Sequence, residues 1–384
     1  MEKVRLGNVF SLIRNGANIK QGLDDSGFPI TRIETISDRS VNREKMGYAG
    51  ITDISKYNDY ILQDGDILMS HINSEKHLGK TAIYKKKNDE KIIHGMNLLC
   101  LRPDNFQILP EYAFYFLSSN VFLRQISNIT KKSVNQASFT VTALKDLSFV
   151  KCAIDEQKKI VCELDKVTDL IDKRKEQLSK LDELVKARFV ELFGDKGYPE
   201  DTLLNLCNII DYRGKTPEKV EYGLPFITAK NVRMHQMNLE PREYISKETY
   251  DKVMVRGFPK EGDVVFTTEA PLGNVCRIPH FDTEFYIGQR IVTLQTEKLE
   301  PIYLEYALSS DDFKMKYMGK SSGSTVTGIR VRLLEQLTIP VPPMGLQNQF
   351  AAFVEQTDKS KLEVQKSLEK LELLKKALMQ KYFG

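Results

Sequence analysis

The chain repeats its own middle at its end, without a gap. Residues 144–194 align with residues 334–384, a constant spacing of 190 positions. Identical pairs in this alignment include Leu144/Leu334, Gln157/Gln347, Leu178/Leu368, Leu184/Leu374, Phe193/Phe383 and Gly194/Gly384. A segment without helical patterning precedes each copy. The sequence therefore predicts two related modules in the order domain, helix, domain, helix.

Both copies carry the heptad pattern of a coiled-coil helix. Core positions recur in alternating steps of three and four residues, and a few basic residues interrupt them. The first series is Ile160, Leu164, Val167, Ile171, Arg174, Leu178, Leu181, Val185, Arg188 and Leu192, and the second is Phe350, Val354, Thr357, Lys361, Val364, Leu368, Leu371, Lys375, Leu378 and Tyr382. Two equal helices pack most simply on each other, so we expect an intramolecular antiparallel pair about 55 Å long. The alternative is homo-oligomerisation through separate coiled coils.

The globular segments also resemble each other, at spacings that drift because their loops differ in length. Gly27 corresponds to Gly223, and Gly65 corresponds to Gly262. Short apolar runs between turn residues predict strands at 29–33, 66–69, 81–84, 97–101, 225–232, 263–267, 274–278 and 290–294. One amphipathic helix follows the strands in each segment, at 110–119 and 301–310.

These patterns predict an α+β fold. Two mixed α/β domains alternate with two long helices, which form an intramolecular antiparallel coiled coil in a pseudo-twofold symmetric arrangement. The predicted boundaries are residues 1–152 for the first domain, 153–194 for the first helical region, 195–343 for the second domain and 344–384 for the second helical region.

Composition limits the class of protein. The chain has 384 residues, of which 41% are hydrophobic, and no run of eighteen apolar residues occurs. Its five cysteines are scattered without a Cys-x-x-Cys pair, which argues against disulfide and zinc frameworks. We therefore expect a cytoplasmic protein that does not cross a membrane. The net charge of +4 gives only weak support for nucleic-acid binding.

Recognised catalytic and cofactor motifs are missing from the sequence. Gly79-Lys80-Thr81 and Gly214-Lys215-Thr216 resemble the end of a phosphate-binding loop, but neither has the glycine that this loop requires five positions earlier. The five histidines lack metal-ligand spacing. We expect a non-catalytic protein without a metal site.

The segments that lead into the helices carry the family resemblance. Before the second long helix, a strand-like run ends at Pro340, Pro342 and Pro343, which extend neither a sheet nor a helix. Gly-Asp followed by two aliphatic residues occurs in both domains, at 65–68 and 262–265. This order of elements, repeated twice over the whole chain, resembles the specificity subunit of type I restriction–modification systems. In the first half, residues 149–154 replace the proline-rich stretch.

The resemblance implies a function and a set of partners. Each target-recognition domain would read one half of a bipartite site in double-stranded DNA, and the helices would set the spacer. The helices would also dock two methyltransferase subunits, and restriction subunits would join that complex. The cofactors S-adenosylmethionine, ATP and Mg²⁺ are expected only on those partner subunits.

Loops rich in base-reading and phosphate-binding side chains are the candidate DNA contacts. Arginine reads guanine, asparagine and glutamine read adenine, and hydroxyls and lysines hold the backbone. The candidates in the first domain are Ser70, His71, Asn73, Ser74, Lys76, Lys131, Lys132, Asn135 and Gln136. Those in the second domain are Lys215, Lys230, Asn231, Arg233, Thr267, Thr268, Gln289, Arg290, Lys320, Ser321, Ser322 and Ser324. For each residue the alternative is an ordinary solvated loop, and for Gln289 and Arg290 a structural role at a strand start.

Two other functions remain compatible with the sequence. The first is a coiled-coil scaffold whose two domains bind protein ligands. The second is an enzyme with an unrecognised site, against which the lack of a catalytic constellation argues.

Overall fold

The computed structural model describes residues 1–19, 26–37, 39–133, 136–212, 217–321 and 328–384. The chain forms two compact units. The first unit comprises Met1–Lys175 with Lys366–Gly384, and the second comprises Glu176–Gln365. Each unit therefore holds one globular domain, half of the first long helix and half of the second. The unit boundaries fall inside the long helices, and not at the domain limits that the sequence suggests.

Within the described residues, the first domain is built from short strands, short α-helices and 3₁₀ segments. The strands are β1 (Glu2–Arg5), β2 (Phe10–Asn15), β3 (Pro29–Ile30), β4 (Ile36–Ser37), β5 (Ser40–Val41), β6 (Gly47–Tyr48), β7 (Ile67–Ser70), β8 (Ile72–Asn73), β9 (Thr81–Ile83), β10 (Leu98–Pro103), β11 (Lys131–Lys132), β12 (Ala137–Ser138) and β13 (Ser148–Lys151). The helices are α1 (Pro110–Leu117), α2 (Asn120–Ile129) and α3 (Val141–Lys145), and the first long helix, α4 (Ile154–Phe193), follows them.

The second domain repeats this plan with fewer strands. They are β14 (Glu200–Thr202), β15 (Asn208–Asp211), β16 (Leu224–Ile227), β17 (Val232–Arg233), β18 (Gln236–Met237), β19 (Tyr244–Ile245), β20 (Val264–Thr267), β21 (Val275–Arg277), β22 (Tyr286–Ile287), β23 (Ile291–Gln295) and β24 (Thr338–Pro340). The helices are α5 (Leu203–Leu206), α6 (Lys247–Val253), α7 (Pro301–Ser309), α8 (Asp311–Lys320) and α9 (Val331–Leu334), and the second long helix, α10 (Met344–Phe383), follows them.

A mostly antiparallel sheet forms the centre of each domain. Its strand order is β2-β10-β7-β9-β5-β4 in the first domain and β15-β23-β20-β21 in the second. A separate pair joins the first strand of each domain to its last strand, β1 to β13 and β14 to β24. This pairing closes each domain just before its long helix begins. The sequence patterns predicted β3, β7, β9, β10, β16, β20, β21, β23 and the strand-like run of β24. They missed the pairing of β1 with β13 and of β14 with β24, and they missed helices α2 and α8.

The repeated Gly-Asp motif shapes the turn before the central strand. Gly65 and Gly262 have positive φ values of 84° and 85°, a conformation that favours glycine. The buried carboxylate of Asp66 accepts a hydrogen bond from the Gln63 amide, three residues earlier. Asp263 accepts the same bond from Lys260 in the second domain. The motif therefore starts a buried strand, β7 or β20, in the same way in both domains.

The long helices run antiparallel, as the sequence predicts. In the first unit, the Tyr382 hydroxyl near the end of α10 donates a hydrogen bond to Glu163 near the start of α4. In the second unit, the Phe193 ring at the end of α4 lies 5.6 Å from the Phe350 ring near the start of α10. Every residue of the two predicted heptad series is buried or half-buried. Each helix has 40 residues, a length of about 60 Å.

The repeated glutamine near the start of each long helix ties that helix to its own domain. The buried Gln157 side chain accepts from the Leu109 amide at 2.8 Å and donates to the carbonyl oxygens of Gln107 and Cys152. Gln347 accepts from the Glu300 amide at 2.9 Å and donates to the Pro342 carbonyl at 2.7 Å. In both units this glutamine therefore satisfies the backbone where α1 or α7 begins.

Replacing Gln347 with alanine removes two hydrogen bonds and leaves a buried amide and a buried carbonyl without a partner. We expect the free energy of unfolding of the subunit to fall by about 2–4 kcal/mol, measured by urea denaturation. Gln356→Ala is the matched control because Gln356 lies exposed on the same helix. Equal stability of the two variants would contradict this role for Gln347.

Candidate nucleic-acid interface

Two predicted DNA-contact loops of the first domain lie together in one small sheet. Its strand order is β11-β12-β8, so Asn73 pairs with Ala137, and Ala137 pairs with Lys132. The Lys132 ammonium group lies 2.8 Å from the Glu75 carboxylate in the facing loop. Loops that are far apart in the sequence thus present their side chains from one platform.

The candidate residues of this platform divide into an exposed and a buried group. Ser74, Lys76, Lys131, Lys132 and Gln136 are exposed. Their donors and positive charges suit phosphate oxygens and base edges. These five residues are predicted DNA contacts that the first unit exposes to solvent.

Three other candidates of the first domain, Ser70, His71 and Asn73, are buried or half-buried. Asn73 is half-buried, and its side chain accepts from the Ser74 amide at 2.7 Å and donates to the Ser70 hydroxyl at 3.3 Å. Ser70 is 2% exposed and His71 is 4% exposed. Ser70 and His71 are therefore buried in this structure, and the DNA contacts predicted for them stay predictions.

Two buried histidines, His71 and His94, lie in the first domain. Burial lowers the pKa of His94 to about 4, and the positive charges of nearby Arg14 and His71 add to this effect. Burial also lowers the pKa of His71, whose ring lies 6.2 Å from the Phe139 ring. His94 is therefore uncharged at neutral pH, which lets it lie in the interior of the domain.

The second domain brings three chain segments together after its central strand. The Thr268 amide donates to the Arg290 carbonyl at 3.0 Å, and the Thr268 carbonyl accepts from the Ile329 amide at 2.9 Å. An isolated bridge joins Glu269 to Gly328. Arg290 is exposed on this cluster. The strand end is thus linked to the β23 start and to the segment that follows α8.

The hydrogen bond between Ile329 and Thr268 has an equivalent in the first domain. There the His71 carbonyl accepts from the Phe139 amide at 3.3 Å. Phe139 precedes Ile329 by 190 positions, and His71 precedes Thr268 by 197. Both domains therefore share one arrangement. The segment that follows helix α2 or α8 is hydrogen-bonded to the residue that follows strand β7 or β20.

A second group of candidates lies around the β17–β18 hairpin. Lys230 and Arg233 are exposed. Asn231 is only 1% exposed, and its carboxamide accepts from Thr228 and donates to two backbone carbonyls, those of Asn238 and Pro241. Asn231 therefore shapes the turn that holds Lys230 and Arg233. The DNA contact predicted for Asn231 stays a prediction.

The other candidates of the second domain are divided in the same way. The Thr267 hydroxyl is buried and accepts from the Asn274 amide at 2.8 Å, and Thr268 is also buried, so neither faces solvent. Gln289 is half-buried, and Lys320 and Ser321 stand at the end of α8, where Lys320 is exposed. Asn135, Lys215, Ser322 and Ser324 lie outside the described residues. The DNA contacts of the exposed residues stay predictions.

The sequence motifs considered above did not indicate two basic residues, Arg39 and His235, which make several side-chain contacts in the structure. Arg39 contacts Tyr115 and Asp165, and His235 contacts Tyr306 and Glu305. The signal that could have found them is the repeat itself, because they are 196 positions apart, the spacing of Gly27 and Gly223.

Within the described ranges, no group of three or more histidine, cysteine, aspartate or glutamate residues is placed to hold a metal ion. No helix in the same part of the chain is long and apolar enough to cross a membrane.

The comparison with protein families decides the identity. The family model of the type I restriction modification DNA specificity domain matches residues 1–182 and again residues 200–373. The chain belongs to this family. The two matches correspond to the two repeated modules, and the family is one of DNA specificity, not of catalysis.

Individual relatives agree with this assignment. The chain is 33% identical to the protein named as the type I restriction enzyme MjaX specificity subunit of Methanocaldococcus jannaschii, over 97% of this chain and 90% of that protein. It is 25% identical to the EcoKI specificity subunit of Escherichia coli, over 45% of this chain and 38% of that protein.

Solved structures show the same fold. The S subunit of a type I restriction–modification system from M. genitalium matches with a TM-score of 0.57 at 16% identity, covering 100% of this chain and 96% of that one. A chain from work on complex assembly and conformational transition of the type I R-M system matches with a TM-score of 0.60 at 19% identity, covering 100% and 97%.

The exposed hairpin residues provide a direct test of the interface. We expect Arg233→Ala to weaken DNA binding by about 1–3 kcal/mol if the arginine reads a base, and to relax specificity at one position. Lys230→Ala is expected to weaken binding to all sequences and to reduce the salt slope by about one unit. Fluorescence anisotropy over a salt series measures both effects.

Lys252→Ala is the matched control, because Lys252 is an exposed lysine of α6 that pairs with Glu248. It removes one positive charge from the same domain, and we expect little change in DNA affinity. Affinities and salt slopes for the Lys230 and Arg233 variants that equal those of the control would reject this surface as the interface.

Proposed function

We propose that this chain is the DNA-recognition subunit of a type I restriction–modification complex, and that each domain reads one half of a bipartite site. The observation that supports this most is the repeated architecture after the central strand, at His71 and Thr268, in a chain whose two halves both match the specificity family. Two copies of one reading domain suit a site with two halves.

The charges of the described residues agree with such a role. Exposed lysines and arginines, among them Lys131, Lys132, Arg233 and Arg290, stand on segments that the backbone holds firmly. Basic side chains on a rigid scaffold attract the phosphate backbone and place neighbouring polar groups against base edges. A scaffold that binds only protein ligands would not need this pattern in both domains.

The long helices are the proposed docking surface for partner subunits. Leu184 and Leu374 occupy equivalent positions on α4 and α10 and are 49% and 46% exposed. Equivalent apolar positions on two helices suit two identical partners, so we propose that two methyltransferase subunits bind here and that restriction subunits join through the complex. The S-adenosylmethionine, ATP and Mg²⁺ of the reaction would belong to those partners, in the cytoplasm.

The two half-sites are expected to be separable. Replacing residues 195–340 with the matching domain of another family member should change one half of the methylated sequence and leave the other half intact. The exchange keeps Phe193 and Phe350, so the donor domain needs aromatic residues that match Tyr303 and Tyr306, which contact them. Sequencing of methylated bases in cells that express the complex gives the result.

The reciprocal exchange of residues 1–150 is the control, and it should change only the other half of the sequence. A replacement that altered both halves, or neither, would contradict the assignment of one half-site to each domain.

The helix pair is proposed to set the spacer between the half-sites. Deleting one heptad from each helix, residues 173–179 and 363–369, keeps the seam in register because seven residues complete two turns. It shortens each helix by about 10 Å, which corresponds to about three base pairs. We expect the preferred spacer to shorten by that amount, or specific binding to be lost.

The spacer is measured by selecting bound DNA from a library of variable spacers. A matched control replaces residues 173–179 and 363–369 with heptads of different sequence but the same pattern, and it should keep the natural spacer. An unchanged spacer in the deletion variant would disprove the ruler.

A further inference from the structure

Each domain contains a pair of two-residue antiparallel strands, and a basic residue immediately precedes the second strand of each pair. In the first domain Ser37 pairs with Ser40, so the turn ends at Arg39. In the second domain Arg233 pairs with Gln236, so the turn ends at His235. The spacing of 196 positions equals that of Gly27 and Gly223, which precede the hairpins. Arg39 and His235 are therefore equivalent residues of the two modules.

His235 is held by an aromatic ring and a buried acid on one helix. Its ring stacks on the Tyr306 ring at 4.2 Å with an angle of 17°, and its Nδ1 lies 2.8 Å from Glu305 Oε1. Glu305 is 1% exposed, and its other oxygen accepts from Arg277 at 2.6 Å. The Arg277 guanidinium lies 3.9 Å from Asp358 of α10.

Arg39 is held by the equivalent tyrosine and by a different acid. Its guanidinium donates to the Tyr115 hydroxyl at 2.7 Å and to Asp165 of α4 at 3.1 Å. It also lies over the Tyr115 ring, 5.4 Å from the centroid. Tyr115 and Tyr306 are 191 positions apart, the spacing of α1 and α7. Both anchors thus combine a nitrogen-bearing basic side chain, a tyrosine of the domain helix and a carboxylate.

The anchors link each hairpin to a long helix of the same unit. Arg39 reaches α4 directly through Asp165, and His235 reaches α10 through Glu305, Arg277 and Asp358. The backbone also attaches each hairpin at the same residue, because the Ile83 amide donates to the Arg39 carbonyl at 3.0 Å and the His235 amide donates to the Val275 carbonyl at 2.7 Å. The side chains of Arg39 and His235 therefore add a second attachment, to the domain helix and the long helix, to a hairpin of two-residue strands that has little stability of its own. In the second domain this hairpin carries the exposed Arg233.

We propose that Arg39 and His235 are equivalent positioning residues, each of which fixes the orientation of one hairpin toward its own DNA half-site. This inference rests on the function proposed above. The two residues act through the hairpin and need not touch DNA themselves. The chemistry of the anchor also predicts that arginine can replace histidine at position 235, because arginine already serves in the first domain and can bond Glu305 and stack on Tyr306.

The experiment uses the full chain in complex with its methyltransferase partner. DNA binding is measured on the wild-type site and on sites with base changes in one half only. We expect His235→Ala to reduce discrimination in the second half-site about tenfold, with the first half-site unaffected. Arg39→Ala should give the opposite pattern, and His235→Arg should retain wild-type discrimination.

Arg242→Ala and Arg5→Ala are matched controls, one in each domain, because both arginines are exposed and pair with exposed acids, Glu240 and Asp146. Thermal unfolding of every variant is recorded, and Arg39→Ala tests the inference alone if His235→Ala does not fold. A stability loss without a half-site-specific effect would overturn the proposal, as would equal effects on both half-sites or no rescue by arginine. If the wild-type complex bound the unaltered site and the altered sites equally well, the proposed function would be rejected instead.

Discussion

The burial of each long helix's last aromatic ring in a domain core is the contact on which the rest of the structure depends. Phe383, at the end of α10, packs against Tyr112 at 5.4 Å in the first unit, and Phe193, at the end of α4, packs against Tyr303 at 4.8 Å in the second. Both phenylalanines are less than 5% exposed. A helix that starts beside one domain must end in the core of the other unit's domain, so the chain has to form an antiparallel pair. Aromatic contacts of this kind add specific geometry to a large buried area.

The candidate interface combines exposed cations with a neutral, buried support. The lysines of the first platform are exposed, and burial lowers the pKa values of His71 and His94 in the same domain, so these two histidines add little positive charge at neutral pH. In the second domain the Asn231 carboxamide bonds the backbone of Thr228, Asn238 and Pro241 and so fixes the turn that carries Lys230 and Arg233. Buried polar residues therefore position the side chains that face solvent. This division is typical of a preorganised recognition surface, whose ordering cost is met during folding.

The helices, the central strands and the repeat were predictable because their signals are local and periodic. The heptad series predicted which helix residues are shielded from solvent, and every member is at least half-buried. The pairing of Asn73 with Ala137 was not predictable, because it joins residues 64 positions apart in strands of two residues each. Burial of Asn231 and Thr267 also escaped prediction, since a polar residue in a turn reads the same whether it faces DNA or bonds its own backbone. Arg39 and His235 were hidden for another reason, because their partners lie on helices far along the chain.

One measurement tests the central claim, that two equivalent domains of one chain read two halves of a DNA site at a fixed distance. Cells that lack other modification systems would express this chain with its methyltransferase partner, and their methylated bases would be mapped by single-molecule sequencing. We expect one asymmetric sequence with two specified segments, separated by a spacer of constant length and unspecified bases. A contiguous methylated sequence, a spacer of variable length, or methylation without any sequence preference would contradict it.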